Sequence, residues 1–114
     1  MTDKHFYEAF IDALAVKDRD EFISDHALSS VWGDAENAEV PAQRLDDLGA
    51  LWDVAHASIR DIRAFTGLTR TDFAFRYLIP YRSVENWERG DSQCPDYVRL
   101  LLAQVTGFYH RPEA

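Results

Sequence analysis

The sequence has one cysteine, one methionine, five glycines and four prolines among its 114 residues. The single cysteine, Cys94, excludes an internal disulfide and a cysteine-based zinc cluster. Uninterrupted apolar runs, such as residues 100–103, are only a few residues long, so no segment is expected to span a membrane. No basic stretch followed by an apolar one begins the chain, so no signal peptide is expected and the reducing cytoplasm is the expected location.

Motifs of catalysis and metal binding are missing as well. No two of the four histidines are spaced three or four residues apart, and the sequence has no nucleotide-binding glycine pattern and no hydrolase elbow. We therefore expect no metal, no cofactor and no enzymatic activity. Cys94, just before Pro95, is expected to be a small residue at a helix start. The alternative is a reactive thiol, since helix N-termini lower thiol pKa values.

The composition is that of a folded chain with an uneven charge distribution. Hydrophobic residues make up 46% and aromatic residues 13%, enough for a core without disulfides or metals. The net charge is −8, but residues 1–56 hold four basic and thirteen acidic residues, whereas residues 57–114 hold eight basic and seven acidic residues. All eight basic residues of the second half are arginine, the side chain suited to phosphate and guanine. The second half alone is thus compatible with nucleic-acid binding.

Apolar spacing of three and four residues recurs along the chain, and sustained alternation is absent, which predicts an all-α compact helical bundle. Thr2 is a candidate cap for a first helix, and a second helix is predicted to end near Trp32-Gly33. Residues 33–41 have no periodicity and predict a loop, after which Pro41 suits a helix start. We expect an acidic helical N-terminal extension over 1–40 and a second domain, with a leading helix, over 41–114.

After residue 57, residues typical of helix ends mark where each helix begins and ends. Ser58 with Asp61, and Thr69 with Asp72, have the spacing of capping boxes. Glycines and prolines then mark further helix ends and starts; these residues are Gly67, Pro80, Gly90, Pro95 and Gly107. They predict helices near 58–66, 69–78, 80–89 and 95–106.

A set of residues within this segment carries a family resemblance. Gly67-Leu68-Thr69 precedes one helix, Phe73-Ala74 lies within it, and the next helix contains Val84 and ends in Trp87-Glu88-Arg89-Gly90. In this order and spacing, residues 58–107 resemble the Cro/repressor-type (Xre-like) helix-turn-helix family, whereas residues 1–40 have no counterpart. The resemblance implies a sequence-specific DNA-binding transcriptional regulator, repressor-like, that acts on double-stranded DNA as a homodimer.

The resemblance also implies a DNA-binding surface. The helix over 80–89 would lie in the major groove, with Arg82 reading guanine, Asn86 reading adenine, and Arg70 touching the backbone. Glu85 either accepts from cytosine N4 or marks a face that does not bind DNA. The implied DNA-binding residues are Arg70, Tyr81, Arg82, Ser83, Glu85, Asn86 and Arg89.

Other implied features are structural. Trp87 and Val84 are expected in the core, and Arg63 and Glu88 are expected to form a partly buried ion pair. Leu78 stands where the family often has glycine, and because leucine resists a positive φ, a differently built turn is expected there, with Pro80 fixing the start of the next helix.

A second function remains open: a protein-interaction module, antitoxin-like or an inhibitor of a nucleic-acid-binding protein, acting through the acidic N-terminal half. DNA binding is favoured if Arg70, Arg82 and Arg89 converge without an intervening carboxylate. The interaction module is favoured if Asp72, Glu85 and Asp91 dominate that face. Two apolar clusters are candidates for the homodimer interface; they are Phe6, Tyr7, Phe10 and Ile11, and Val105, Phe108 and Tyr109.

Overall fold

A computed structural model describes residues 1–112, which form seven α-helices and one short 3₁₀-helix with no strand among them. The predicted all-α architecture is confirmed. The helices are α1 (Asp3–Ala15), α2 (Arg19–Ala27), α3 (Ala42–Ala55), α4 (Ile59–Thr66), α5 (Arg70–Arg76), α6 (Tyr81–Arg89) and α7 (Asp96–Val105), with the 3₁₀-helix at Ser30–Trp32.

The chain forms two compact units that divide between His56 and Ala57. The first contains residues 1–56 with Arg111 and Pro112, and the second contains residues 57–110. The sequence led us to expect a division near residue 40, with the helix after Pro41 leading the second domain. That helix, α3, packs instead on α1 and α2, because its buried residues complete the first unit's core.

The first unit is a three-helix assembly whose ends are capped as the sequence suggests. Thr2 caps α1 by accepting a hydrogen bond from the His5 amide at 3.1 Å. The second helix is shorter than predicted, because α2 ends at Ala27 and the chain continues into the 3₁₀-helix. Gly33 then turns with a left-handed φ of +69°.

The packing of α2 on α3 depends on one glycine. Arg19 lies across Gly49, where an added Cβ atom would collide with the guanidinium group. In that position Arg19 donates to both carboxylate oxygens of Asp53, at 2.9 and 3.2 Å. Gly49 has no positive φ, and the absence of a side chain there leaves the room in which the Arg19 guanidinium lies.

The second unit has the four helices predicted from its capping residues, with ends within about two residues of those expected. Ser58 and Asp61 form a complete capping box, with both hydrogen bonds at 3.0 Å. Gly67 and Gly90 end α4 and α6 with positive φ angles. Pro80 and Pro95 immediately precede α6 and α7.

The core of the second unit lies where α6 packs on α4 and α5 and where α4 packs on α7. Its largest fully buried side chains are Phe73, Ile62 and Val84. Trp87 was expected in this core, but it is only partly buried. The inner face of α6 is formed by Val84, and the larger indole reaches the edge of the core.

Candidate nucleic-acid interface

The turn between α5 and α6 has the left-handed geometry that the sequence led us to doubt. Leu78 adopts a φ of +55°. The amide of Ile79 donates to the Ala74 carbonyl at 2.9 Å, and the amide of Leu78 donates to the Phe75 carbonyl at 3.4 Å. These two bonds form a Schellman cap on α5 with leucine in the position that glycine favours. The expectation of a differently built turn was wrong, because the cap's hydrogen bonds hold Leu78 in a conformation that leucine disfavours.

The α6 helix presents most of its polar residues to solvent. Tyr81, Arg82 and Arg89 are exposed, whereas Ser83, Glu85 and Asn86 are partly exposed. Since Val84 is fully buried, this helix packs one apolar side inward and leaves the implied base-contacting residues accessible.

A partly buried ion pair joins α6 to α4. Arg63 donates to the two carboxylate oxygens of Glu88 from Nε at 2.7 Å and from Nη2 at 2.8 Å. Its Nη1 donates to the Leu68 carbonyl at 3.1 Å. The Glu88 side chain has no exposed surface, and its hydrogen bond from Arg63 lowers the pKa of the carboxyl despite burial. The predicted Arg63–Glu88 pair is confirmed.

Two further arginines surround the same carboxylate. Nε of Arg70 lies 3.4 Å from Oε1 of Glu88, and Nε of Arg60 lies 3.6 Å from the same oxygen. A hydrogen bond to Tyr81, and to a smaller extent one to Glu88, raises the pKa of Arg70. Arg70, which the resemblance implies as a contact to the DNA backbone, lies against Glu88 in this structure. Arg60 was not predicted at all, although its position three residues before Arg63 on one helix was the available signal.

The arginines of the predicted surface each have a carboxylate nearby. Arg82 lies 4.0 Å from Glu85, and Arg89 lies 3.5 Å from Asp91. Arg70 has Glu88 at 3.4 Å. The surface is therefore mixed in charge, and neither of the two conditions set out above is met in full.

Cys94 is a buried residue of the second unit. Burial raises the pKa of its thiol to about 11, so the thiolate is scarce at neutral pH. This environment fits the small structural residue expected before α7 rather than a nucleophile.

Each apolar cluster proposed for a dimer interface is only partly exposed. In the first, Tyr7 and Ile11 are exposed, whereas Phe6 and Phe10 are buried and stack 6.1 Å apart. In the second, Val105 is exposed and Tyr109 is buried. Phe108 is partly buried against Phe65, with the ring centroids 5.7 Å apart. The clusters are smaller than expected because each contributes aromatic rings to its own unit.

The last helix has a different exposed stripe. Tyr97, Leu101 and Val105 recur every four residues along α7, and all three are exposed. Among residues 1–112, no helix is both long and apolar enough to cross a bilayer.

Comparisons of the chain with protein-family models, with curated proteins and with solved structures found no match.

Proposed function

We propose that the protein is a sequence-specific DNA-binding regulator that reads the major groove with α6 and acts by binding rather than catalysis. The observation that carries this proposal is the exposed first half of α6, placed after a Schellman-capped turn and held to α4 by the partly buried Arg63–Glu88 pair. A reading helix needs this combination, because base contacts require exposed side chains on a rigidly held element.

The side chains of α6 suit base recognition. Arg82 is 82% exposed and has the fork geometry that pairs with guanine O6 and N7. One helical turn later, Asn86 carries the amide that pairs with adenine N6 and N7. Tyr81, Ser83 and Arg89 are suited to phosphate contacts, or in the case of the tyrosine ring to a thymine methyl group.

The carboxylates near α6 are compatible with this role. The Glu88 side chain has no exposed surface and its charge is paired with Arg63, so it adds little repulsion toward a phosphate. The Arg82–Glu85 pair is loose, at 4.0 Å on a highly exposed arginine, and surface pairs of this kind contribute little to stability. Arg82 can therefore exchange Glu85 for a base, while Glu85 remains available to accept from cytosine N4.

A homodimer would supply the second half-site that a single short reading helix needs for useful affinity. We place its interface on the exposed stripe of α7, Tyr97, Leu101 and Val105. This stripe carries no charged side chain, so two copies can meet there without burying unpaired charge.

Selection from a random double-stranded DNA library, in the cytoplasm-like conditions of about 0.15 M salt, tests the proposal. We expect the parent protein to enrich one sequence class, and the Arg82→Ala variant to enrich none or another one. Arg76→Ala is the matched control, since Arg76 is an exposed arginine on α5 outside the reading helix, and it should enrich the parent class. A parent protein that retains no duplex, or that enriches no sequence, would refute this function.

A second candidate is the protein-interaction module acting through the acidic first unit. The observation that favours it is the exposed pair Tyr7 and Ile11, four residues apart on α1, beside the acidic residues Glu8 and Asp12. Such a face suits a basic, partly apolar partner protein. The double variant Tyr7→Ser, Ile11→Ser should no longer bind that partner and should bind duplex DNA as the parent does. A variant that loses duplex binding but still binds the partner would contradict this module.

A further inference from the structure

Three guanidinium groups surround one carboxylate in the second unit. Arg60, Arg63 and Arg70 all lie within 3.6 Å of Glu88, and both Arg60 and Arg70 approach its Oε1 atom. One negative charge cannot balance three positive ones. The cluster therefore carries an excess of two positive charges at one place.

The three arginines differ in how much of their hydrogen-bonding capacity is used. Arg63 donates three hydrogen bonds, two to the oxygens of Glu88 and one to the Leu68 carbonyl. Arg60 approaches Glu88 with its Nε at 3.6 Å, and Arg70 does so at 3.4 Å while also bonding to Tyr81, so neither uses all five N–H donors of its guanidinium. Their side chains are 61% and 30% exposed, so a ligand in solvent can reach them.

Glu88 also fixes the spacing of the two accessible arginines. Its side chain is buried and held by Arg63, so Oε1 is an immobile point between Arg60 on α4 and Arg70 on α5. Two guanidinium groups held beside one oxygen form a preformed clamp for a tetrahedral oxyanion, which can accept from both at once.

We propose that Arg60 and Arg70 together bind one phosphodiester group of the DNA backbone, with Glu88 as the positioning residue. This inference rests on the proposed function, because the ligand is the backbone of the duplex that α6 reads. Phosphate contacts of this kind position the reading helix and carry no sequence information. Arg60 is thus a contact residue on α4, outside the helix-turn-helix pair itself.

The test measures binding of a fluorescein-labelled 20-base-pair duplex of random sequence as a function of salt. For the parent protein, log K should fall linearly with log[salt], with a slope close to 0.9 per phosphate contacted. Arg60→Ala and Arg70→Ala should each weaken binding several-fold. Because the two arginines share one phosphate, the double variant should reduce the slope by about one, and its loss of affinity should be smaller than the product of the two single losses.

Controls separate this site from general electrostatics. Arg76→Ala removes an exposed arginine of α5 and should leave the slope within error of the parent. Arg60→Ala results that match those of Arg76→Ala would overturn the inference, as would a slope reduced by about two in the double variant. A parent that binds duplex DNA while Arg60→Ala is unaffected refutes the clamp alone. A parent that binds no duplex refutes the clamp and the proposed function together.

The positioning role of Glu88 has its own readout. Removing a carboxylate near DNA should by Coulomb's law raise the affinity, and Glu85→Gln should do so. Glu88→Gln is expected to lower the affinity several-fold instead, because Arg60 and Arg70 lose their common anchor. The measurement is made at 10 °C, with circular dichroism showing that the variant is folded. A gain of affinity in folded Glu88→Gln would overturn the positioning role.

Discussion

Arg63 and Glu88 stand 25 residues apart in sequence and are joined by two parallel hydrogen bonds of 2.7 and 2.8 Å. The pair connects α4, the first helix of the second unit, to α6. Glu88→Gln should destabilise the protein by about 2–4 kcal/mol at neutral pH, because it leaves Arg63 in a partly buried position without its counter-charge. Urea denaturation measures this change. Glu85→Gln, a partly exposed carboxylate of the same helix, should change stability little.

The pH dependence of stability should report the same pair. Arg63 lowers the pKa of Glu88 in the folded protein below the value of about 4.3 found in unfolded chains. The contribution of Glu88 is therefore fully present above that unfolded pKa and is lost as the pH falls through the lower folded pKa. The stability difference between the parent and Glu88→Gln should shrink as the pH falls below about 4. A difference that stays constant from pH 7 to pH 3 would contradict this assignment.

Replacement of Leu78 should stabilise the protein. The Leu78 side chain is 91% exposed and its backbone has a φ of +55°, so the residue contributes strain without burying apolar surface. Leu78→Gly should raise stability by about 0.5–1 kcal/mol, after allowing for the greater freedom of glycine in the unfolded chain. Leu78→Ala is the control, since it removes the same exposed side chain but keeps the strained φ. Equal effects of the two substitutions in urea denaturation would show that strain is not the cause.

Two large side chains of the second unit, Phe73 and Trp87, should differ in their contribution to stability. Phe73 is fully buried, so Phe73→Ala should cost about 3–5 kcal/mol through lost burial and the remaining cavity. Trp87 is only partly buried, and Trp87→Ala should cost about half as much. Thermal and urea denaturation of both variants test the order, and a larger loss for Trp87→Ala would show that the indole is a core residue after all.

Substitutions on α6 and α5 should have different effects on sequence preference and on general DNA affinity. Arg82→Ala or Asn86→Ala should cost about 1–3 kcal/mol on a selected duplex and little on random DNA. Arg70→Ala should weaken binding to both duplexes to a similar extent, since the ligand we propose for it is a phosphate. Fluorescence anisotropy on the two duplexes measures the losses. Equal losses on both duplexes for all three variants would overturn the division of roles.

The oligomeric state tests the exposed stripe of α7. We expect light scattering at micromolar concentration to give a mass near twice the 13.1 kDa of one chain. Leu101→Glu places a charge in the middle of the stripe and should yield the single-chain mass. Leu45→Glu, at an exposed leucine of α3, is the matched control and should leave the dimer intact. A parent protein of single-chain mass would remove both the dimer and a palindromic target.

Local chemistry allowed much of the second unit to be predicted from sequence. Ser58, Gly67 and Gly90 set helix ends through caps that involve only a few neighbouring residues, and the ion pair of Arg63 followed from the family pattern. The unit to which α3 belongs could not be predicted, because its apolar face fits either neighbouring segment. Only tertiary packing decides between them.

In the candidate site, too, the features that depend on tertiary packing could not be predicted from the sequence. The exposure of α6 could be predicted, since Val84 marks its inner side. The turn at Leu78 was missed because propensity alone opposes a positive φ, and two hydrogen bonds outweigh it. Arg60 was missed because its distance to Glu88 depends on how α4 crosses α6.

The contact of Arg19 with Gly49 links two positions 30 residues apart in their tolerance of change. A side chain at 49 would meet the flexible end of Arg19, which would have to shift beside Asp53, whereas a short residue at 19 would leave space for a side chain at 49. In proteins that share this three-helix assembly, we therefore expect a small residue at 49 more often where arginine occupies 19. Replacing Arg19 with a short residue would therefore allow larger side chains at position 49 than this chain accommodates.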